Sequence, residues 1–538
     1  MFKKFIVPVL VIVVFLLVPE GCHFAAKQNH SATRGLHSEV IYHIFERSFY
    51  DSNGDLNGDF NGIREKLGYL QKLGVTALLL TPVVQSVYYH NYFADDFEKI
   101  DPAYGTKEDW TNLVKAVHRH GMKIYLDVEF QYVTGRQKWF KDSYENPRSP
   151  YSKYILYNGP GNTKPEPIIY NISNLPGYND STRRVATVNL YNPGVQDFFN
   201  RLLKHWMDPN RDGHFEDGVD GFRLDHMMDN LDHKNILPHL FSRFWCPLIT
   251  KLKAVNPKLT IIAEQANWLS FGREYFDSGC VDRVFAFDLR YAIASFDKAK
   301  ISAMADSTFS LTPPAKKQIV FIENHDMERF ASAVDRNPAK LRVGAAFNLL
   351  IGGIPSIYYG QELGMFGKGG FGRFGKTDGN DIPQREAFEW FRADSGRGMA
   401  LWYKNTGPWW DSTNLKPDDG VSLEEEQHET GSLWNFYRTL IHLHTSNAAL
   451  TDGEYAEIAN GNNVVFSFVR YTADSAALVV INLSGRGQKA DLDMNAGPVK
   501  DSWQNEWVTL FGQARHAWHG GKLSLLLPAY GIAVWEIR

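Results

Sequence analysis

The chain has 538 residues, enough for about three ordinary domains or one large barrel with attachments. It is 44% hydrophobic and 14% aromatic, which supplies a sizeable core and excludes a mainly disordered protein. Against 61 Asp and Glu stand 57 Lys and Arg, a net charge of −4 with no basic stripe and no acidic tail, so nothing points to a nucleic-acid partner.

The N-terminus reads as an export signal. Met-Phe-Lys-Lys precedes an almost wholly apolar run from Phe5 to Val18, then Pro19-Glu20-Gly21-Cys22. That run falls short of the ~20 residues that span a bilayer as a helix. Residues 1–22 are expected to be the signal. Cys22, placed directly after the run and a glycine, resembles the acylated first residue of bacterial lipoproteins; the alternative is a plain secretion signal or an uncleaved anchor. Residues 23–37 are polar and small, as a tether should be. The expected location is the cell envelope beyond the inner membrane, with membrane contact only through that lipid. Cys246 and Cys280 either pair in an oxidising compartment or remain two buried thiols, and the sequence leaves both open.

From Val40 onward short apolar runs alternate with amphipathic stretches. Strands are predicted at 40–45, 77–82, 123–128, 221–225, 259–264, 283–288, 318–323 and 356–359, all continuous and rich in β-branched residues, as strands buried on both faces are. Between them lie helical stretches such as 111–121, which ends in a glycine. The alternation predicts an α/β fold, a closed (β/α)8 TIM barrel over residues 38–445. A Pro-, Gly-, Asn- and Tyr-rich interval at about 133–190 is too long for a loop and predicts an inserted subdomain after strand 3. A second irregular region follows the eighth strand at 364–430. Residues 446–538 alternate in the manner of antiparallel strands and predict a C-terminal β-sandwich.

Reactive groups of such a barrel sit at the C-terminal ends of its strands. The fourth strand ends Gly-Phe-Arg223-Leu-Asp225, the fifth ends Ala-Glu264, and the seventh is followed by Glu-Asn-His325-Asp326. Three carboxylates thus converge on one mouth, with Arg223 on the same strand face as Asp225 because the strand period is two. A lone acid at a strand end is normally a cap or surface charge. Three at successive ends suit cleavage of a glycosidic bond, where one carboxylate attacks or activates water and another protonates the leaving oxygen.

The motifs GVDGFRLD, IIAEQ, FIENHD, IPSIYYGQELGM and YFADDFEKIDPAYGT resemble the α-amylase family of glycoside hydrolases (family 13), from about residue 38 to 390 and weakly beyond. The resemblance implies a retaining enzyme acting on α-glucosidic bonds, most simply α-1,4 bonds of starch-type glucans or maltooligosaccharides. It makes Asp225 the nucleophile, Glu264 the general acid/base and Asp326 a stabiliser of the transition state. Arg223 would keep Asp225 ionised, His325 would bind sugar hydroxyls, and Tyr92 would stack on the sugar. Transglycosylation or isomerisation of α-glucosides is a second reading, and a non-catalytic glucan-binding surface lipoprotein a third. The oligomeric state is left open.

Oxygen side chains alternate along Asp51-Ser-Asn53-Gly-Asp55-Leu-Asn57-Gly-Asp59, a spacing that suits a hard cation. Leu56 at position six and the lack of Glu at position twelve exclude an EF-hand. The run resembles the calcium loop of oligo-1,6-glucosidase-like family members, with Asp51, Asn53, Asp55, Asp59 and the Asn57 carbonyl as ligands; an Asx-rich turn without metal is the alternative. Elsewhere the chain departs from the family. Gln131 and Tyr132 stand where the family has the asparagine of another calcium site and a sugar-contacting histidine. Met228 and Asp229 replace a frequent Lys-His pair, and 186–189 read Ala-Thr-Val-Asn where Pro-Asp-Leu-Asn is usual. The second calcium site is therefore expected to be missing and the sugar-binding floor altered. Phe93, after Tyr92, resembles α-amylases and cyclodextrin-acting enzymes more than exo-acting α-glucosidases and favours an endo cut; plain packing is the alternative. Tyr88, Tyr89, Trp139, Trp409 and Trp410 either line a glucan groove or pack internally.

Overall fold

Eight short apolar strands close on themselves: β1 (Ile41–Ile44), β2 (Ala77–Leu80), β3 (Lys123–Val128), β4 (Gly221–Met227), β5 (Thr260–Gln265), β6 (Arg283–Phe285), β7 (Lys317–Val320) and β8 (Ile354–Tyr358). Each pairs in parallel with the next, and β8 returns to β1. This computed structural model describes residues 39–179, 181–494, 498, 507–519 and 522–537. The expected signal, Cys22 and the tether at 23–37 lie outside the described residues. Among the described residues no helix is long and apolar enough to cross a membrane.

The strands are mostly apolar because both faces are covered. Ile41, Leu79, Tyr125, Ile262, Phe285 and Ile319 fill the barrel interior. Their neighbours Tyr42, Leu78, Leu80, Ile124, Phe222 and Ile261 join the larger core that includes the surrounding helices. Some expected boundaries move. The run predicted as a strand at 283–288 ends at Phe285, because a helix starts at Phe287 and continues to Ser295. The helix predicted at 111–121 spans Lys107–Arg119. It starts earlier because Thr106 and Asp109 cap it reciprocally: Asp109 N–H donates to Thr106 Oγ1 at 3.1 Å and Thr106 N–H to Asp109 Oδ2 at 2.9 Å. Gly121, at φ +71°, turns the chain into β3.

Between β3 and the helix Pro193–Met207, three short strands form a small sheet of their own, with Thr182–Thr187 between Tyr132–Thr134 and Asn174–Pro176. Beyond helix Leu433–Ser446 come a five-stranded and a three-stranded antiparallel sheet. Leu478, Val480 and Trp535 of the first pack with Leu492, Leu523 and Leu525 of the second, so the two sheets form a sandwich. The opposite face of the larger sheet, with Phe466, Phe468, Ala477 and Val479, belongs to the core of the barrel and its helices. That sheet is therefore buried on both sides, which explains its unbroken apolar strand Ala476–Asn482.

Cys246 begins the helix Cys246–Lys253, and Cys280 lies just before β6; the two are disulfide-bonded with Cα atoms 5.1 Å apart at a sequence separation of 34. In the chain-entropy account a loop of that length contributes about 3–4 kcal/mol. The double variant C246S/C280S is expected to lose about that much unfolding free energy, measured as an earlier urea midpoint. The wild type in reductant should show the same loss.

Candidate active site

The chemistry gathers on one buried cation. On β4, Phe222 and Leu224 face the helices, so Arg223 and Asp225 face the barrel axis. Parallel registry sets Asp127 of β3 and Ile262 of β5 opposite Arg223. Glu264 follows two residues after Ile262 on the same face. The Arg223 side chain is 1% exposed. One of its nitrogens, Nη1, bonds Asp127 Oδ2 at 2.6 Å and also Asp225 Oδ1; the other, Nη2, lies 3.2 Å from Glu264 Oε2. Three carboxyls on three adjacent strands thus share one guanidinium, whose planar fork suits such pairing.

Glu264 has further partners. Pairing of β4 with β5 shifts register, so that β4 carries one extra residue at Asp225-His226, and His226 adopts φ +45°. That bulge aims the His226 backbone N–H at Glu264 Oε2, 3.0 Å away. Trp268 Nε1–H donates to Oε1 at 3.2 Å, and its ring stacks on Phe287 at 4.9 Å. Burial, followed by the charges of Asp225 and Asp326, pushes the Glu264 carboxyl up to about 7 against the pull of Arg223.

Asp326 is held differently. Burial alone would raise it, but His325 and Arg385 outweigh burial and keep it well below the usual carboxylate range. His325 Nε2 lies 2.9 Å from Asp326 Oδ2, and Arg385 Nη2 donates to Oδ1 at 2.9 Å. Tyr92 O–H donates to Asp127 Oδ2 at 2.8 Å and meets His325 Nε2 at 2.7 Å, its ring stacked on the imidazole at 5.5 Å. Asp225, Glu264, Asp326, Arg223, His325 and Tyr92 are thus joined by one continuous set of contacts.

Phe93 and Tyr132 form the neighbouring wall, with ring centres 6.0 Å apart, both within the apolar cluster of the inserted sheet. Tyr132 O–H donates to Asp232, which also faces His226 Nε2 at 3.5 Å and Lys234 Nζ at 3.5 Å. Burial opposes a charge on His226, but the bond to Asp232 and the charges of Asp225 and Glu264 raise its pKa overall. Gln131 ties strand ends together, donating from Nε2 to the carbonyls of Asp225 at 2.9 Å and His226 at 3.0 Å. Of the aromatic residues with two readings, Tyr88, Tyr89, Trp139 and Trp409 are buried and Trp410 is half-buried. Tyr89 stacks on Trp402 at 4.7 Å and accepts from Arg385 Nη1 at 3.0 Å, so it braces the site without lining an open groove.

The Asp51–Asp59 run lies after β1, apart from this group of contacts. Asp51 accepts the backbone N–H groups of Gly54 at 2.7 Å and Leu56 at 2.9 Å, Asn53 that of Asp55 at 2.9 Å, and Asp55 that of Asn57 at 2.8 Å. Asp59 caps the helix Phe60–Glu65 through the Gly62 N–H at 2.7 Å. Asn57 Oδ1 accepts from Arg47 Nη1 at 2.7 Å. This is a ladder of Asx turns. Among the described residues no group of three or more His, Cys, Asp or Glu is disposed to hold a metal ion.

Sequence reasoning missed Arg385, Asp232, Trp268 and the functional weight of Asp127 and Glu129. Asp127 and Glu129 had a signal, an acid in or just beyond the third strand's end. Arg385 and Asp232 had none, because each reaches the site from an irregular segment.

A parallel barrel with acids from β4, β5 and the β7 exit around a buried arginine defines a glycoside-hydrolase type of site. Residues 43–453 match the family model described as alpha amylase, catalytic domain, and the chain belongs to the alpha-amylase family. Alpha-amylase 3 of Dictyoglomus thermophilum is 28% identical over 458 residues, covering 83% of this chain and 84% of that protein. The trehalose synthase/amylase TreS of Mycobacterium tuberculosis is 26% identical over 573 residues, covering 93% and 89%. The crystal structure of alpha-amylase from H. orenii superposes with a TM-score of 0.75 at 27% identity, covering 93% of this chain and 99% of that one.

The environment of Glu264 makes a measurable claim independent of turnover. Difference infrared titration should find a carboxyl that loses its proton near pH 7, and E264Q should lack that transition. An identical titration in E264Q would refute the assignment.

Proposed function

We propose that this enzyme is a retaining hydrolase of α-glucosidic bonds, most simply α-1,4 bonds of starch-type glucans or maltooligosaccharides. The observation that carries the reading is the placement of Asp225 and Glu264 on one arginine. Asp225 shares the guanidinium at its own strand end, while Glu264, packed against Trp268, keeps its proton to near neutrality. A double displacement requires one carboxyl placed to attack and a second that arrives carrying a proton.

In the first displacement the Asp225 carboxylate attacks the anomeric carbon. The bond from that carbon to the leaving oxygen breaks, and Glu264 gives its proton to that oxygen. In the second, Glu264, now a carboxylate, takes a proton from water; the water oxygen bonds to the anomeric carbon and the ester to Asp225 breaks. Asp326, kept charged by His325 and Arg385, accepts hydrogen bonds from sugar hydroxyls. Tyr92 offers a ring face, fixed by its stack on His325, for the sugar at the cleavage point. Phe93 and Tyr132 form the adjoining apolar wall, which supports an endo cut.

The resemblance to TreS supports a second reading, transfer or isomerisation of α-glucosides with another sugar in place of water. A product profile on amylose, pullulan, cyclodextrin, sucrose and trehalose separates the two. Hydrolysis predicts a steady rise in reducing ends from amylose; a new disaccharide with no such rise would favour transfer. Glucan binding without any cleavage would support the third reading, a non-catalytic surface lipoprotein. D225N and E264Q are each expected to lower kcat on the preferred α-glucan by roughly 10²- to 10⁴-fold with unchanged folding. Full activity in either variant would contradict the assigned roles.

Calcium in the loop after β1 is part of the same proposal. The donor chemistry fits a hard cation: Asp51 and Asp59 are both buried, and burial followed by the charge of Asp51 raises Asp59. Asp51, Asn53, Asp55, Asp59 and the Asn57 carbonyl would hold the ion, which would neutralise that loop and takes no part in the displacements. Calcium should persist in dialysed protein, and chelation should lower the melting temperature; saturation at 100 times Kd corresponds to about 2.7 kcal/mol. Metal-free dialysed protein with a melting temperature unmoved by chelator would remove the ion from the account. Export and lipidation at Cys22 complete the proposal, supported by the N-terminal sequence alone. A Cys22→Ala variant that still partitions with membranes would exclude the lipid.

A further inference from the structure

Glu129 stands directly after β3 and is unused by the displacement just described. It is 5% exposed. Its Oε1 accepts the backbone N–H of Gln131, and its Oε2 is buried with no donor among the described residues. The register of β3 on β4, with Asp127 opposite Arg223 and Val128 opposite Leu224, carried one residue further sets Glu129 opposite Asp225 on the face toward the barrel axis. Two charged carboxyls side by side in a largely buried position repel, and one proton shared between them relieves that repulsion.

The surroundings decide where that proton resides. Asp225 has the Arg223 guanidinium on Oδ1. The nitrogens of Arg223 that bind carboxyls are directed to Asp127, Asp225 and Glu264, and none is directed to Glu129. The charges that act most strongly on Glu129 are those of Asp225 on β4 and Asp127 on β3, and Glu129 in turn acts on Tyr132 of the inserted sheet. None of these is a cation. The carboxylate beside the arginine keeps the charge, and Glu129 keeps the proton.

We propose that Glu129 is a positioning residue: its uncharged carboxyl donates a hydrogen bond to Asp225 and, with Arg223 on the other side, fixes the nucleophile's orientation. The inference rests on the reading of Asp225 as nucleophile. Burial, followed by the charge of Asp225, pushes the Glu129 carboxyl well upward, in keeping with that arrangement. The bond also favours Asp225 as the departing carboxylate when the glycosyl ester breaks, since a donor stabilises the charged form more than the ester. Its loss therefore acts on kcat more than on KM.

The test compares wild type, E129Q and E129L on the same maltooligosaccharide over a pH series. Glutamine keeps both contacts, a carbonyl for Gln131 and an N–H for Asp225; leucine keeps the volume and loses the donor. E129Q should hold kcat at the optimum within about threefold, and E129L should lose about 10- to 100-fold with little change in KM. Difference infrared spectra at neutral pH should show a protonated-carboxyl band that E129Q lacks, a readout that needs no turnover and serves even if E129L fails to fold. The proposal is overturned if wild type and E129Q show the same protonated-carboxyl bands, or if folded E129L matches wild type in kcat. A wild type that turns over no α-glucoside overturns instead the nucleophile reading on which the proposal rests.

Discussion

A guanidinium buried at the centre of a barrel is costly unless every face of it is paired, and the pairing of Arg223 organises the rest of the mouth. Asp127, Asp225 and Glu264 come from three adjacent strands, and each is held where it must be to compensate that one charge. The strands must therefore keep their register, because a shift of one residue would turn all these side chains toward the helices. The bulge at Asp225-His226 is part of the same arrangement: it spends an unfavourable backbone conformation at His226 to aim an N–H at Glu264. Electrostatic compensation thus fixes which carboxyls meet, and the difference in their remaining contacts fixes which of them carries a proton.

Outside that centre two walls complete the site. The inserted sheet brings Tyr132 against Phe93, and the segment after β8 brings Arg385 onto Asp326 and Tyr89. Both walls are irregular in sequence and tied down by side-chain hydrogen bonds where regular secondary structure is lacking. The C-terminal sandwich stands apart from the chemistry. Its larger sheet packs on the barrel's helices through Phe466, which lies 5.7 Å from Phe347, and so buries the outer surface of the helices that support β7 and β8.

Much of this was readable from the chain. The barrel followed from eight doubly buried strands alternating with helices, and Asp225, Glu264 and Asp326 followed from their place at strand ends. Those signals are local, carried by residues adjacent in sequence. What escaped is non-local. Arg385 reaches Asp326 across 59 positions, and Tyr132 reaches Asp232 across 100. The closure of Cys246 on Cys280 was left open for the same reason, since spacing carries no geometry. Composition leaves the aromatics undecided: Tyr88, Tyr89, Trp139 and Trp409 are polar-tipped or broad enough for a sugar surface, and burial assigns them to packing. The Asp51–Asp59 run shows the opposite limit. Its alternation is equally good for a ring of metal ligands and for a ladder of Asx turns, because both need oxygen side chains at alternate positions.

The central claim is that Arg223 presents Asp225, and no other carboxyl of the site, as the attacking group. Its most direct test is to trap the covalent intermediate with a 5-fluoro-α-glucosyl fluoride, digest the protein and locate the added sugar by mass spectrometry. The account predicts a single glycosyl ester on Asp225. An ester on Glu264, Asp326, Asp127 or Glu129, or turnover of the reagent through no ester at all, would contradict it.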